Sequence, residues 1–95
     1  MIGARASFCA AHKLPQHEEV HGHSYIVWGY TDLDLDVEDW QRRLQTFCNS
    51  LDHRMLPPEL ARMEDIAQRI VASMGAIFVR VERPVEGLCC EIKRA

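Results

Sequence analysis

The sequence predicts an α+β fold in which an antiparallel sheet carries two helices on one face. The predicted order of elements is strand, strand, helix, helix, strand, strand, and no repeat, low-complexity stretch or linker interrupts the 95 residues. A chain of this length forms one small domain, here spanning residues 1–95. Because both helices lie between the second and third strands, they pack on the same side of the sheet. The other face then needs a cover, which a partner subunit would supply.

The first two strands are predicted on either side of a polar loop. Residues 2–12 (IGARASFCAAH) are small and compatible with a strand, and residues 21–31 (HGHSYIVWGYT) are rich in aromatic and β-branched side chains. The loop between them, KLPQHEE, is short enough to join neighbouring antiparallel strands. These two segments are therefore expected to pair.

Helical periodicity follows the second strand. Apolar residues recur at three- and four-residue steps over 37–51, and Asp34 or Asp36 can cap the start of this helix. A second helix is predicted over 60–74, with Gly75 at its end.

Two more strands complete the predicted sheet. Residues 76–82 (AIFVRVE) place Ile77, Val79 and Val81 on one side, as a strand with one buried face would. The last strand, LCCEIK, begins after Gly87. The sheet is thus predicted to contain four strands.

Composition argues against several classes of protein. A net charge of −3 with scattered Lys and Arg argues against a nucleic-acid-binding protein, which usually has a basic face. No apolar run has membrane-spanning length and no signal peptide is visible, so a cytoplasmic protein without membrane contact is expected. The four cysteines, without a C-x-x-C pair, are predicted to be buried small hydrophobic residues and not disulfides or zinc ligands.

Three histidines predict a metal site. His21 and His23 are separated by one residue in a strand, so their side chains leave the same face. His12 ends the preceding strand, and pairing of the two strands would bring it beside them. Three converging imidazoles are the ligand set of a catalytic zinc with an open fourth position. Without His12, a chance pair of histidines on a surface strand would explain the pattern equally well.

The segments SFCAAHKLP, HGHSY, LDHRML and VERP follow one another nearly from end to end of the chain. In this order they resemble the 6-pyruvoyl-tetrahydropterin synthase and 6-carboxy-tetrahydropterin synthase (QueD-like) family. The resemblance implies the T-fold, in which sheets of several subunits close into a barrel, and a homohexamer of two stacked trimers. It also implies a zinc-dependent carbon–oxygen lyase that acts on a pterin triphosphate, 7,8-dihydroneopterin triphosphate.

The resemblance assigns roles to individual residues. The zinc ligands that it implies are His12, His21 and His23. It implies that Asp52 and His53 form an acid/base pair, and that Glu82 accepts hydrogen bonds from the pterin ring. Without the resemblance, Asp52 and His53 would be interpreted as the cap of the first helix, and Glu82 as a surface charge at a strand end.

The sequence departs from the family at one catalytic position. The family usually has a cysteine four residues before HGH, where this chain has His17; the base could instead be His17, Glu18 or Glu19. A related branch with a glutamate in this loop cleaves the side chain to 6-hydroxymethyl-dihydropterin for folate. If His17 bound the metal as a fourth imidazole, the protein would be a non-catalytic metal- or pterin-binding homologue. Cys9 is not expected to replace the base, because on a regular strand it faces away from His12.

The product and the pathway stay open at this point, among queuosine-type deazapurine, biopterin and folate synthesis.

Overall fold

The structure is a computed structural model that describes residues 1–13 and 20–95. Its elements, in chain order, are β1 (Ile2–His12), β2 (His21–Thr31), α1 (Val37–Leu51), β3 (Arg54–Met55), a 3-10 turn (Pro58–Leu60), α2 (Met63–Met74), β4 (Ala76–Arg83) and β5 (Leu88–Lys93). The predicted α+β class and the order of the four long strands and two helices are confirmed.

The sheet has five strands in the order β3-β1-β2-β4-β5. The pairs β1–β2, β2–β4 and β4–β5 are antiparallel, whereas the short β3 runs parallel to β1 at Ala10 and Ala11. The prediction of a purely antiparallel, four-stranded sheet therefore missed β3. Two residues are too short for any periodicity to show in the sequence.

One hydrophobic cluster joins both helices to one face of the sheet. Trp40 and Leu44 of α1 and Ile66 and Ile70 of α2 are fully buried, and Val27 in the middle of β2 lies in the same cluster. Helix α1 contacts β1, and α2 contacts β4 and β5. Burial of this apolar surface supplies most of the free energy that holds the helices on the sheet.

The helix ends agree with the sequence at two positions. Asp36, one of the two predicted caps, accepts a hydrogen bond from the backbone N–H of Glu38 at 3.1 Å. Gly75 ends α2 in the left-handed conformation, with φ of 76°, where a side chain would be strained. Among the described residues, no helix has both the length and the apolar character needed to cross a membrane.

The start of α2 was predicted three residues too early. Leu60 belongs to the 3-10 turn, and the α-helix begins at Met63. Arg62 is extended, with φ of −104°, and its backbone N–H donates to the Asp65 side chain at 3.3 Å. Leu60 is still buried in the core, which is why it matched the helical pattern.

Side chains of α1 cover the outer edge of β1. The Gln45 amide donates to the carbonyl of Ser7 at 3.0 Å and accepts from its N–H at 3.4 Å, and Gln41 donates to the carbonyl of Arg5 at 3.2 Å. These bonds satisfy an exposed strand edge that would otherwise pair with another strand. They also fix the position of α1 relative to β1.

The cysteine prediction is only partly confirmed. All four cysteines are free thiols, as expected, but only Cys48 is buried, whereas Cys9 and Cys89 are exposed and Cys90 is half-buried. Cys89 lies on β5, an edge strand, and Cys9 lies on the sheet face opposite the helices. Small apolar character alone did not indicate which strand face these residues occupy.

Candidate functional site

The β1–β2 pair brings the predicted histidines to one end of the sheet. His12 pairs with His21 across the two strands, and Ala10 pairs with His23, so these positions share the face that the helices cover. This end, defined by His12, His21 and His23, is called the histidine end below. The side chain of His21 lies outside the described part of the structure.

Two imidazoles of the histidine end point their Nε2 atoms at each other. The Nε2 atoms of His12 and His23 are 3.0 Å apart. The Nδ1 of His12 lies 2.7 Å from the carbonyl oxygen of Ala61, which can only accept, so Nδ1 donates and carries the proton. The Nδ1 of His23 lies 3.1 Å from Oε1 of Glu86. With both Nδ1 atoms engaged by acceptors, the Nε2 lone pairs converge.

The surroundings of His23 favour its neutral form. Burial lowers the pKa of His23 first of all, and the nearby Arg83 and His12 lower it further, whereas Glu86 opposes the shift. A neutral imidazole is the form that binds a metal ion.

Tyr25 packs behind the histidines. Its ring meets the His23 ring edge to face, with centroids 6.1 Å apart, and stacks on Phe8 at 4.7 Å. The hydroxyl is buried and has no hydrogen-bond partner among the described residues, and burial raises the pKa of Tyr25. The hydrophobic core thus reaches up to His23 and limits the rotation of its ring.

The geometry fits a metal ion as far as the described side chains extend. Two nitrogens on a tetrahedral zinc, each about 2.0–2.1 Å from the metal, lie about 3.3–3.4 Å apart, so a small opening of the His12–His23 pair would admit the ion. Within residues 1–13 and 20–95, no group of three His, Cys, Asp or Glu side chains is arranged so that it could hold a metal ion. The predicted set of three requires the side chain of His21 and stays a prediction.

Asp52 and His53 are held against β1 next to the histidine end. The Asp52 carboxylate accepts from the backbone N–H of Cys9 at 2.8 Å and lies 2.7 Å from Nδ1 of His53. The backbone N–H of His53 donates to the carbonyl of Cys9 at 2.6 Å. The Cys9 N–H, and after it His53, lower the pKa of Asp52, which therefore keeps its negative charge.

The same two residues also end α1. Asp52 is the C-cap residue, and its backbone N–H donates to the carbonyl of Asn49 at 3.3 Å. His53 has a φ of 57°, a left-handed conformation that costs a non-glycine residue about 1–2 kcal/mol. Its side chain is 83% exposed. The capping role is therefore present, together with an oriented imidazole that is open to solvent.

A cavity of about 610 Å³ connects the histidine end with His53. His23 and His53 both line it, together with Cys9, Ser24 and Glu86. Residues from both faces of the sheet contribute, because the cavity lies at the end of the strands. It is large enough for a small organic ligand.

Glu82 lies elsewhere. It occupies the sheet face opposite the helices, where Arg80 donates to its carboxylate at 2.9 Å and to Glu91 at 2.9 Å. The described residues that line the cavity of His23 and His53 do not include it. A single chain thus places the predicted ring-binding carboxylate apart from the predicted metal ligands.

The sequence did not identify Glu86 as a residue of the site, and it excluded Cys9 as a candidate for the catalytic base. Cys9 does face away from His12, as alternation requires, yet its exposed side chain lines the cavity, with its sulfur 3.5 Å from the Ser24 hydroxyl. Glu86 belongs to the turn between β4 and β5, and the P-V-E-G sequence was the only signal for a turn at this place.

The three candidate bases of the loop, His17, Glu18 and Glu19, lie outside the described residues.

Comparison with known proteins agrees with the fold and the motifs. The family model described as 6-pyruvoyl tetrahydropterin synthase matches residues 1–86. A search of the curated proteins gave no significant match. The matched range contains the histidine end, Asp52, His53 and Glu82, and it covers nine-tenths of the 95 residues. The chain belongs to the 6-pyruvoyl tetrahydropterin synthase family.

Proposed function

We propose that the protein is a zinc-dependent lyase that acts on 7,8-dihydroneopterin triphosphate. Membership of the family supports pterin synthase chemistry in general. The observation that carries the specific proposal is the convergence of the His12 and His23 Nε2 atoms, 3.0 Å apart, at a cavity that His53 also lines.

The metal would be held by His12, His21 and His23. Hydrogen-bond acceptors at both described Nδ1 atoms, from Ala61 and Glu86, orient the rings for this role. When bound there, zinc supplies Lewis-acid polarisation of the hydroxyl groups on the substrate side chain.

His53 would transfer a proton to or from the substrate. Its Nδ1 is engaged by Asp52 at 2.7 Å, which leaves Nε2 to exchange a proton in the cavity. The charge that Asp52 retains stabilises the imidazolium when His53 accepts a proton. The backbone bonds to Cys9 hold this pair against β1.

The base that removes the first proton would come from Glu19, Glu18 or His17. The position of Cys9 at the cavity adds its thiol to these three candidates. The identity of this base decides which bond breaks, and therefore whether the product is a pyruvoyl, carboxy or hydroxymethyl pterin. A glutamate would favour cleavage of the side chain to the hydroxymethyl product.

Glu82 would anchor the pterin ring by accepting hydrogen bonds from its N–H groups. The contact with Arg80 at 2.9 Å orients this carboxylate. Because Glu82 lies on the sheet face away from the helices, a complete site would form between subunits. A homohexamer of two stacked trimers is the assembly that we propose, and it would cover that face.

The test is product analysis with purified, zinc-loaded protein. We expect zinc-dependent conversion of 7,8-dihydroneopterin triphosphate to one of the three pterins, identified by mass spectrometry, and a loss of about 100-fold or more in His53→Ala. Ser50→Ala, a change at an exposed residue in the last turn of α1, is the control and should keep full activity. Pterin binding without any product would contradict the lyase and support a non-catalytic binding protein.

A further inference from the structure

The turn between β4 and β5 approaches the histidine end from the side opposite α1. Pairing of Ile26 with Glu82 directs the end of β4 toward the start of β2. The turn is closed by the N–H of Gly87, which donates to the carbonyl of Pro84 at 3.2 Å, and Gly87 has a φ of 71°. A closed turn of this kind holds its side chains in a defined direction.

Glu86, inside this turn, links an arginine to His23. Its Oε1 accepts from Nε of Arg83 at 2.9 Å and lies 3.1 Å from Nδ1 of His23. The side chains of His23, Arg83 and Glu86 are 13%, 15% and 29% exposed, so the His23 and Arg83 sides of these contacts are shielded from water. The exposed ion pairs of α1, by contrast, are of the kind that contributes little.

A carboxylate at Nδ1 has three consequences for an imidazole. It holds the proton on Nδ1, it fixes the rotation of the ring, and it raises the basicity of Nε2. In the corresponding place, the Nδ1 of His12 faces the neutral carbonyl of Ala61. The two histidines are therefore oriented by acceptors of different charge, and the stronger acceptor is on His23.

We propose that Glu86 is a positioning residue that orients His23 as a ligand of a divalent cation, and that Arg83 fixes the Glu86 carboxylate for this task. The inference rests on the proposed metal site and adds to it a residue outside the ligand set. It assigns a function to the β4–β5 turn, which would otherwise be a connection between two strands. It also predicts that the contribution of Glu86 is exerted on the metal and not on the fold.

Zinc affinity, measured by competition with a chelator, tests this role. We expect Glu86→Ala to bind zinc 10–100-fold more weakly than the wild-type protein. Glu86→Gln should lose less, because the amide oxygen still accepts from Nδ1 although the charge is gone. His23→Ala, which removes the ligand itself, should lose more than either variant.

Glu91→Gln is the matched control. Glu91 also pairs with an arginine, Arg80, but lies on the other face of the sheet and does not contact His23. The zinc affinity of the Glu91→Gln protein should stay within about two-fold of wild type, because an ion pair between a surface carboxylate and an arginine has little influence on a distant metal site.

A spectroscopic measurement separates positioning from a purely structural role. In the cobalt-substituted protein, we expect the ligand-field absorption bands to shift in Glu86→Ala and to return toward wild type in Glu86→Gln. Equal zinc affinity and identical cobalt spectra in both Glu86 variants would overturn the inference while the metal site stands. A wild-type protein that binds no zinc would overturn the proposed function and the inference with it.

Discussion

The two ends of the β1–β2 pair use the same strand geometry for different purposes. Away from the histidine end, at what is called the core end below, inward positions such as Ala6 and Val27 lie in the same buried cluster as the fully buried Trp40 of α1. At the histidine end, the same alternation presents His12 and His23. The core end is held by many non-directional apolar contacts, and the histidine end by a few directed polar ones. Substitutions at the first should therefore change stability, and substitutions at the second should change function.

The largest effect is expected for Trp40→Ala at the core end. Trp40 is fully buried, and its indole N–H donates to the carbonyl of Gly29 at 2.9 Å. Loss of the ring and of this hydrogen bond should lower the free energy of unfolding by about 3–5 kcal/mol. Urea denaturation at fixed protein concentration measures this value.

Val37→Ala provides the control for Trp40→Ala. Val37 lies in the first turn of the same helix but is 47% exposed, so its truncation should cost less than about 0.5 kcal/mol. Similar losses in the two variants would show that α1 is not anchored through Trp40. The distinction between a core end that determines stability and a histidine end that determines function would then need revision.

The fold could be predicted from the sequence because its signals are local. Alternation in β1 and β2, helical spacing in α1 and the glycine at the end of α2 each depend on neighbouring residues. The errors have a common cause as well. The strand β3 exists only through its pairing with Ala10 and Ala11, and Leu60 is buried by packing and not by its own helix.

The candidate site could be predicted only in part, for a related reason. His12 and the H-x-H pair are recognisable because strand geometry places them together. The acceptors that orient these rings come from Ala61 and Glu86, which are 49 and 63 residues distant from the histidines they contact. No periodicity encodes such contacts, because they depend on how the 3-10 turn and the β4–β5 turn meet the sheet.

A smaller effect is expected when His53 is replaced by two different residues. At a φ of 57°, glycine is unstrained whereas alanine retains the steric cost. His53→Gly should therefore unfold with a free energy about 1 kcal/mol larger than that of His53→Ala. Both variants should lose activity equally, since neither has an imidazole.

This pair of variants sharpens the comparison between the two ends. A gain in stability without any recovery of activity would show that the backbone at His53 is strained in order to place the imidazole. Equal stabilities would show that the backbone relaxes when the imidazole is removed, and that the left-handed conformation is a consequence of the Asp52–His53 contact. Urea denaturation measures the stability of the two variants, and the product assay measures their activity.

The smallest effect concerns pH and Asp52. The pKa of this carboxyl is lowered in the folded protein by the Cys9 N–H and by His53, while in the unfolded chain it is about 3.9. The stabilisation is therefore fully present above about pH 4 and is lost as the pH falls through the lowered folded value. Asp52→Asn, which keeps an oxygen for the Cys9 N–H but cannot ionise, should lack this part of the pH dependence.

Unfolding of the metal-free wild-type and Asp52→Asn proteins in urea at pH 7 and pH 3 measures this difference. Parallel curves for the two proteins would mean that Asp52 contributes only as an uncharged cap of α1, and its pairing with His53 would then matter for proton transfer alone.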